Sequence, residues 1–286
     1  MRSGKFDGCH THNAVAFETL FSEACGASLH EVKQFMSHQS KSAAIGASPE
    51  GAHDPQSAAV AVREMFTSIA PHYDLLNHVL SFNVDHLWWR RVARTFAAIL
   101  ARPDAQVLDL CCGTGDMAFA LLHQARENRG NILGADFSHA MLQRATQKTG
   151  AKSVRWVEAD ALTLPFDGQQ FDLITSAFGF RNLADYDAGL REIVRTLKKG
   201  GECGILEFAE PAGFKGRLYR VYFRYVLPKI GTFISGVKGP YSYLPASVER
   251  FPDPNEMLQR MRRAGFLEAA WTPYTLGAVG LYWGRK

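Results

Sequence analysis

An apolar run that leads directly into a glycine turn, at Val107–Asp116, constrains the fold of this chain more than any other feature. Its first four residues are typical of a strand buried on both faces. Gly113 and Gly115 allow a tight turn that brings the backbone close to a ligand, and a helical pattern follows over residues 117–124. This strand–turn–helix unit indicates an α/β sheet that binds a ligand at the carboxyl end of a strand.

Strand-like and helix-like segments alternate along the rest of the chain. The strands are expected at 131–136, 154–158, 171–176 and 204–208, with helices at 140–147 and 186–197 and a terminal hairpin from 267–274 and 278–283. Lys198–Gly201 resembles a helix end capped by glycine. The alternation predicts a doubly wound, mainly parallel sheet with helices on both faces.

Acidic residues lie at the ends of three successive predicted strands: Asp109, Asp136 and Asp160. They offer acceptors for an amino-acid ammonium, a ribose diol and an adenine amine, which is the donor set of S-adenosylmethionine. The segment Gly113–Ala118 also fits the relaxed dinucleotide fingerprint of dehydrogenases, so the glycines alone do not decide between the two ligands. The three acids together favour a methyltransferase over a dehydrogenase.

The composition of the 286 residues is typical of an enzyme with a packed core. The five cysteines form no even-numbered disulfide framework, which favours reduced thiols in the cytoplasm, and they lack the spacing of metal ligands. No apolar run approaches 18 residues in the sequence. We therefore expect a cytoplasmic protein that uses no metal.

The N-terminal segment differs from the rest of the chain. Residues 1–56 are rich in Ser, Ala, Gly and His, which predicts a disordered extension before a domain at 57–286. Apolar residues at helical spacing from Ala58 predict a helix ahead of the sheet. In the next segment, Leu87 and Trp88 are expected to pack against the sheet, while Tyr73 either faces the active-site cleft or bridges the segment.

Three further segments carry a family resemblance: Tyr73–Trp88, Phe178–Leu183 and Arg195–Glu207. They resemble signatures of the demethylmenaquinone and demethylubiquinone C-methyltransferases, over about Ser57–Lys286. The resemblance implies a Rossmann-like, seven-stranded class I methyltransferase with N-terminal helices and a helical lid. It implies C-methylation of demethylmenaquinol to menaquinol, with S-adenosylmethionine as donor. A dual-specificity quinone enzyme, or a methyltransferase acting on another lipid or small molecule, stays open.

The resemblance also implies roles for individual residues around the methyl donor. The candidate binding residues are Asp109, Gly113, Thr114 and Gly115 for the first loop and the methionine part, Asp136 for the ribose, Asp160 and Ala161 for adenine, and Ser176 below the methyl. These positions place the donor along the carboxyl ends of the strands.

A ring carbon becomes nucleophilic when the neighbouring quinol hydroxyl is deprotonated or strongly polarised. Arg181 and Asn182 follow a strand and a turn at the cleft end of the sheet. We expect both residues, with Tyr73, to orient the quinol and a water that takes its proton. The alternative is that Arg181 only ties its loop to the N-terminal helix.

Residues 211–250 form the expected lid, with seven basic residues against Glu249 and with eight aromatic residues. This composition suits an anionic membrane surface and a prenyl tail. It predicts peripheral association with the inner face of the membrane and a prenylated quinol as substrate. An RNA methyltransferase and a helix in a homodimer contact are the alternatives for this segment, although no RNA-binding appendage is recognisable and no nucleic-acid partner is expected.

Overall fold

The computed structural model describes residues 46–49, 52–70, 83–125, 131–209 and 240–286. Tyr73 and most of the expected lid lie outside the described residues. Among these ranges the chain forms one seven-stranded sheet in the order β3-β2-β1-β4-β5-β7-β6. The strands are β1 (Val107–Leu110), β2 (Ile132–Asp136), β3 (Arg155–Glu158), β4 (Phe171–Ala177), β5 (Leu197–Phe208), β6 (Glu268–Tyr274) and β7 (Val279–Arg285).

Strands β1 to β5 pair in parallel, and β7 runs antiparallel to both β5 and β6. The strand order reverses between β1 and β4, because β2 and β3 lie on one side of β1 and the later strands lie on the other. Such a reversal opens a crevice at the carboxyl ends of the two central strands. The sheet confirms the predicted seven-stranded α/β fold, including its terminal hairpin.

Helices cover both faces of the sheet. They are α1 (Pro55–Ile69), α2 (Asp85–Thr95), α3 (Ala97–Leu100), α4 (Asp116–Ala125), α5 (His139–Gln147), α6 (Tyr186–Thr196), α7 (Pro240–Arg250) and α8 (Pro254–Ala264). Helix α1 begins with a capping box, in which the Ser57 amide donates to Asp54 Oδ1 at 2.8 Å. Helix α8 ends at Gly265, which adopts the left-handed conformation that favours glycine.

Two hydrophobic clusters form the core, one on each face of the sheet. Successive residues of a strand point to opposite faces, so Val107 joins the cluster with α2 and α4, whereas Leu108 joins the cluster with α6 and α8. Burial on both faces explains why the central strands are almost entirely apolar. Asp109 interrupts this pattern and is fully buried.

Three local expectations differ from the structure. Lys198–Gly201 belongs to β5 and does not cap α6; the Lys286 amine instead donates to the Leu197 carbonyl at 2.7 Å. Leu87 is 59% exposed and does not pack on the sheet, because Trp88 occupies the buried face of α2. Order also begins before residue 57, since the buried Ala47 donates its amide to the Leu183 carbonyl at 2.7 Å.

Candidate active site

A cavity of about 210 Å³ lies at the carboxyl ends of the central strands, where the strand order reverses. Its walls come from the first glycine loop, the ends of β2 to β4 and the turns that follow them, and one side of α1. The polar lining residues include Gln56, Arg63, Asp109, Thr114, Asp116, Asp136, Asp160 and Asn182. The cavity therefore brings together three acids from the carboxyl ends of β1, β2 and β3, as their positions in the sequence predict.

The glycine loop between β1 and α4 is hydrogen-bonded to the end of β2. Gly113 has a φ of 54°, and its amide donates to Asp136 Oδ2 at 2.8 Å. Gly115, with a φ of 89°, is not among the described residues that line the cavity. A Cβ at this position would lie 2.6 Å from the Trp156 ring, so Gly115 provides packing space for that ring.

Asp109 presents an unusual carboxylate to the cavity. Thr175 donates to Asp109 Oδ1 at 2.9 Å, but Oδ2 is buried without a hydrogen-bond partner among the described residues. Burial raises the pKa of Asp109 to about 7, against the opposing effect of the Thr175 hydrogen bond. A buried acceptor without a donor fits the ammonium group of S-adenosylmethionine, because that cation would restore the lost solvation.

Asp136 is held in place by backbone amides on both of its oxygens. Oδ2 accepts from Gly113, and Oδ1 accepts from Ser138 at 2.9 Å. Burial raises its pKa to about 6, while these hydrogen bonds and the charge of Arg63 act in the opposite direction. The carboxylate therefore lies in a fixed orientation on the cavity wall, as a ribose-binding acid requires.

Thr114 lies beside a cation that sequence reasoning missed. Lys148 donates to Thr114 Oγ1 at 3.0 Å and to Asp116 Oδ1 at 2.7 Å. A positive charge at the predicted position of the methionine carboxylate suits that group. Lys148 follows α5, and nothing in its sequence spacing connects it with the glycine loop.

The predicted adenine end of the cavity is formed by the turn after β3. Asp160 is exposed and accepts the Leu162 amide at 2.9 Å, and Ala161 is buried beside it. Both residues line the cavity together with Leu162 and Phe137. An apolar slot with one acceptor at its edge is a suitable place for a planar base that carries an amine.

Two strained residues shape the wall between β1 and β4. Cys111 and Phe178 line the cavity with φ values of 54° and 57°, a conformation that costs a non-glycine residue on the order of 1–3 kcal/mol. A Cβ on Gly179 would lie 2.4 Å from the Cys111 Cβ, so the two turns touch directly. Such strain is typical of sites where the backbone is held for function.

Asn182 lines this wall, whereas Arg181 is not among the described lining residues. The side-chain Nδ2 of Asn182 donates to the Phe178 carbonyl at 3.4 Å, and its Oδ1 accepts from the Tyr243 hydroxyl at 3.1 Å. Asn182 is therefore oriented from two sides at the edge of the cavity.

The guanidinium of Arg181 is buried in an ion pair with Glu207, at 3.0 Å between Nη1 and Oε2. It also donates to the Phe178 carbonyl and, through Nε, to Ser247 at 3.3 Å. These contacts connect the turn after β4 with β5 and α7, and the Arg181 amide adds a further bond to Glu207. Arg181 thus fixes the strained turn from behind.

Ser176, predicted below the transferable methyl, is buried in β4 and is not among the described lining residues. Its hydroxyl has no hydrogen-bond partner in the described part of the chain. The residue after it, Ala177, is the first residue of β4 that reaches the cavity.

Helix α1 supplies a wall that sequence reasoning did not assign to the site. Gln56, Ala59, Val60, Arg63 and Phe66 line the cavity. Their spacing of three and four residues places them on one helix face, which was the available signal. The guanidinium of Arg63 lies 5.4 Å from the centre of the Phe137 ring, so α1 contacts the turn after β2.

Among the described residues, no group of His, Cys, Asp and Glu side chains is arranged to hold a metal ion. No helix in the described ranges is long and apolar enough to cross a membrane.

Proteins with similar sequences are methyltransferases, which is consistent with the cavity described above. The model of the ubiE/COQ5 methyltransferase family matches residues 54–286. The chain is 48% identical to a demethylmenaquinone methyltransferase of Deinococcus radiodurans, over 82% of this chain and 95% of the relative. It is 40% identical to a ubiquinone/menaquinone biosynthesis C-methyltransferase of Shewanella frigidimarina, over 79% of this chain and 90% of the relative.

A solved structure shares the fold. A SAM-dependent methyltransferase from Thermotoga maritima superposes with a TM-score of 0.56 at 21% identity, covering 79% of this chain and 99% of the other. At this identity the likeness supports the fold alone.

Proposed function

The chain belongs to the ubiE/COQ5 methyltransferase family, and we propose that it transfers a methyl group from S-adenosylmethionine to a ring carbon of demethylmenaquinol, giving menaquinol. The relative from Deinococcus radiodurans carries the name of this reaction and aligns over nearly its whole length. The observation that carries the proposal is the cavity itself, in which Asp109, Asp136 and Asp160 surround one space at the strand ends.

When bound, S-adenosylmethionine supplies an electrophilic methyl group on a sulfonium, and S-adenosylhomocysteine leaves once the new bond to carbon has formed. The ring carbon loses its proton as the aromatic ring is restored. Asp109 Oδ2 would hold the ammonium of the donor, Lys148 would hold its carboxylate, and Asp136 would accept hydrogen bonds from its ribose.

Asn182 is the described polar residue best placed to meet the quinol hydroxyl. Its side chain lies at the cavity edge, and Tyr243 and the Phe178 carbonyl fix its orientation. In the proposal Arg181 and Tyr73 assist it. The ion pair of Arg181 with Glu207 keeps the turn that carries Asn182 in the required conformation.

The same substrate accounts for the basic, aromatic segment 211–250. A prenylated quinol resides in a membrane, so we propose that the protein works at the inner surface of the membrane and binds it peripherally. Nucleic acid is not needed in this account. A homodimer is compatible with it but is not required.

The test is methyl transfer from radiolabelled S-adenosylmethionine, with reduced and oxidised demethylmenaquinol analogues in detergent. We expect label in the reduced substrate only, because the oxidised ring lacks the electron density for attack. A reduced benzoquinol analogue is assayed in parallel, since the relative from Shewanella frigidimarina is named for both quinones. Transfer to both quinols would make this a dual-specificity enzyme. Binding of S-adenosylmethionine without transfer to either would overturn the proposal.

A further inference from the structure

The outer face of α2 is basic and carries an exposed leucine. Leu87, Arg90, Arg91 and Arg94 follow one another at spacings of one, three or four residues, so they share one face of the helix, and all four are exposed. No acidic residue occurs in the sequence from His86 to Ala101. Arg90 and Arg94 form no ion pair with any residue that the structure describes.

The turn between β6 and β7 adds a second exposed leucine beside this helix. Trp88 Nε1 donates to Thr275 Oγ1 at 2.7 Å, and the Arg91 guanidinium lies 4.2 Å from the centre of the Tyr274 ring. Leu276, the next residue in the turn, is 76% exposed. The helix and the turn therefore form one continuous surface.

The turn holds Leu276 outward at an energetic cost. Thr275 and Leu276 have φ values of 44° and 58°, and Gly277 has a φ of 90°. Two consecutive non-glycine residues in the left-handed region are rare, and each costs on the order of 1–3 kcal/mol. A large apolar side chain on a strained, solvent-facing turn is not explained by packing within the described structure.

We propose that this surface, formed by Leu87, Arg90, Arg91, Arg94 and Leu276, docks the enzyme on an anionic lipid bilayer. The arginines match the negative charge of the headgroups, and the two leucines enter the interface between headgroups and acyl chains. None of these five residues belongs to the lid segment 211–250. The proposal rests on the proposed function, because the enzyme needs to contact a membrane only if its substrate is a lipid.

The position of α2 connects this surface with the active site. Trp89, on the opposite side of α2, lines the cavity, and an α-helix is about 10–12 Å across with its side chains. A ring bound in the cavity would lie about one helix diameter from a membrane that contacts the docking face. A prenyl tail could then remain in the bilayer while its head group reaches the cavity.

The test is co-sedimentation of the full chain with vesicles of phosphatidylcholine alone or with 30% phosphatidylglycerol. The charge variant combines Arg90→Gln and Arg94→Gln, and Arg91 is kept because it stacks on Tyr274. We expect the variant to bind the anionic vesicles about 30-fold more weakly, at about fivefold per arginine. High salt should remove most of this difference.

The apolar variant combines Leu87→Ser and Leu276→Gly. We expect it to bind anionic vesicles about tenfold more weakly, and this loss should persist at high salt, because it reflects buried apolar area. The gain of glycine also removes the strain at residue 276. We therefore expect this variant to stay folded, so that weaker vesicle binding is not caused by unfolding.

The chain offers a matched control at the end of α8. Arg262 and Arg263 are exposed on this helix, and Leu267, between α8 and β6, is 83% exposed. The triple change Arg262→Gln, Arg263→Gln and Leu267→Ser removes the same types of group. We expect it to bind vesicles within about twofold of the unmodified chain, because these residues lie outside the proposed docking face.

Three results would overturn the proposed docking face. The charge variant could bind vesicles as tightly as the wild type, or the α8 control could lose as much vesicle binding as the charge variant. The third result is a charge variant that binds poly(U) RNA more weakly but vesicles as well as before. Methyl transfer to a short-chain, detergent-soluble demethylmenaquinol is measured for every variant. Unchanged transfer there, with weakened vesicle binding, supports the docking face. Absence of transfer in the unmodified chain would instead refute the proposed function.

Discussion

Replacing Asp109 by asparagine should stabilise the protein without its methyl donor and weaken the binding of that donor. The carboxylate is fully buried and its pKa is raised to about 7 from 3.8. The native state therefore holds this proton more tightly than the unfolded state. Stability is lost as the pH rises above the pKa of Asp109 in the unfolded chain, and the loss levels off above its pKa in the folded protein.

The size of the effect follows from the two pKa values. Between pH 5 and pH 8 the ionisation of Asp109 should lower the free energy of unfolding by about 2–3 kcal/mol, since each pKa unit is worth about 1.4 kcal/mol. Asparagine has the same shape and does not titrate. The stability advantage of Asp109→Asn should therefore grow by that amount over this pH range.

Urea unfolding of both proteins at pH 5, 6, 7 and 8, without S-adenosylmethionine, measures this advantage. Asp167→Asn is the control, because that side chain is exposed. The difference in unfolding free energy between this variant and the wild type should be the same at all four pH values. The donor's dissociation constant should rise about 10- to 100-fold in Asp109→Asn, the value of one charge-assisted hydrogen bond. Parallel stability curves for wild type and Asp109→Asn, or unchanged donor affinity, would refute the reasoning.

Three further changes test other parts of the site. Gly134→Ala should destabilise the protein by about 1–3 kcal/mol in urea unfolding, because the new Cβ would lie 2.6 Å from the Trp156 ring. Arg63→Ala should weaken S-adenosylmethionine binding about fivefold in calorimetry, because α1 loses its contact with the turn after β2. Arg181→Met should lower the free energy of unfolding by about 3–5 kcal/mol, since Glu207 is left buried without its partner.

Each of these changes has a control. Gly168→Ala meets only an ordinary contact at 3.4 Å and should leave stability near the wild-type value. Arg155→Ala, on an exposed position of β3, should leave donor affinity unchanged. Adding Glu207→Gln to Arg181→Met should restore part of the lost stability, and an additive loss instead would show that the ion pair is not the cause.

The sequence was sufficient for the sheet, because its central strands are buried on both faces and must be apolar. It also located the acids of the site, since parallel strands end at one edge of the sheet and Asp109, Asp136 and Asp160 lie at the ends of three of them. The roles assigned to Arg181, Asn182 and Ser176 remain predictions. The structure adds that Asn182 reaches the cavity while the Arg181 guanidinium pairs with Glu207.

Other features depend on contacts between segments that are distant in the sequence. Lys148 reaches Thr114 from 34 residues away, so no local pattern could reveal it. The end of α6 is capped by Lys286 and not by the nearby glycines. Leu87, Trp88 and Trp89 are consecutive apolar residues of α2, and tertiary packing decides that only the two tryptophans are buried.

The central claim is that this cavity directs the methyl group to a ring carbon of a quinol. The most direct measurement uses S-adenosylmethionine with a ¹³C-labelled methyl and reduced demethylmenaquinol, followed by carbon NMR of the isolated product. We expect the labelled carbon to have the chemical shift of a methyl group attached to an aromatic carbon. A signal from a methyl ether would mean that the hydroxyl oxygen is the nucleophile, and it would contradict the account.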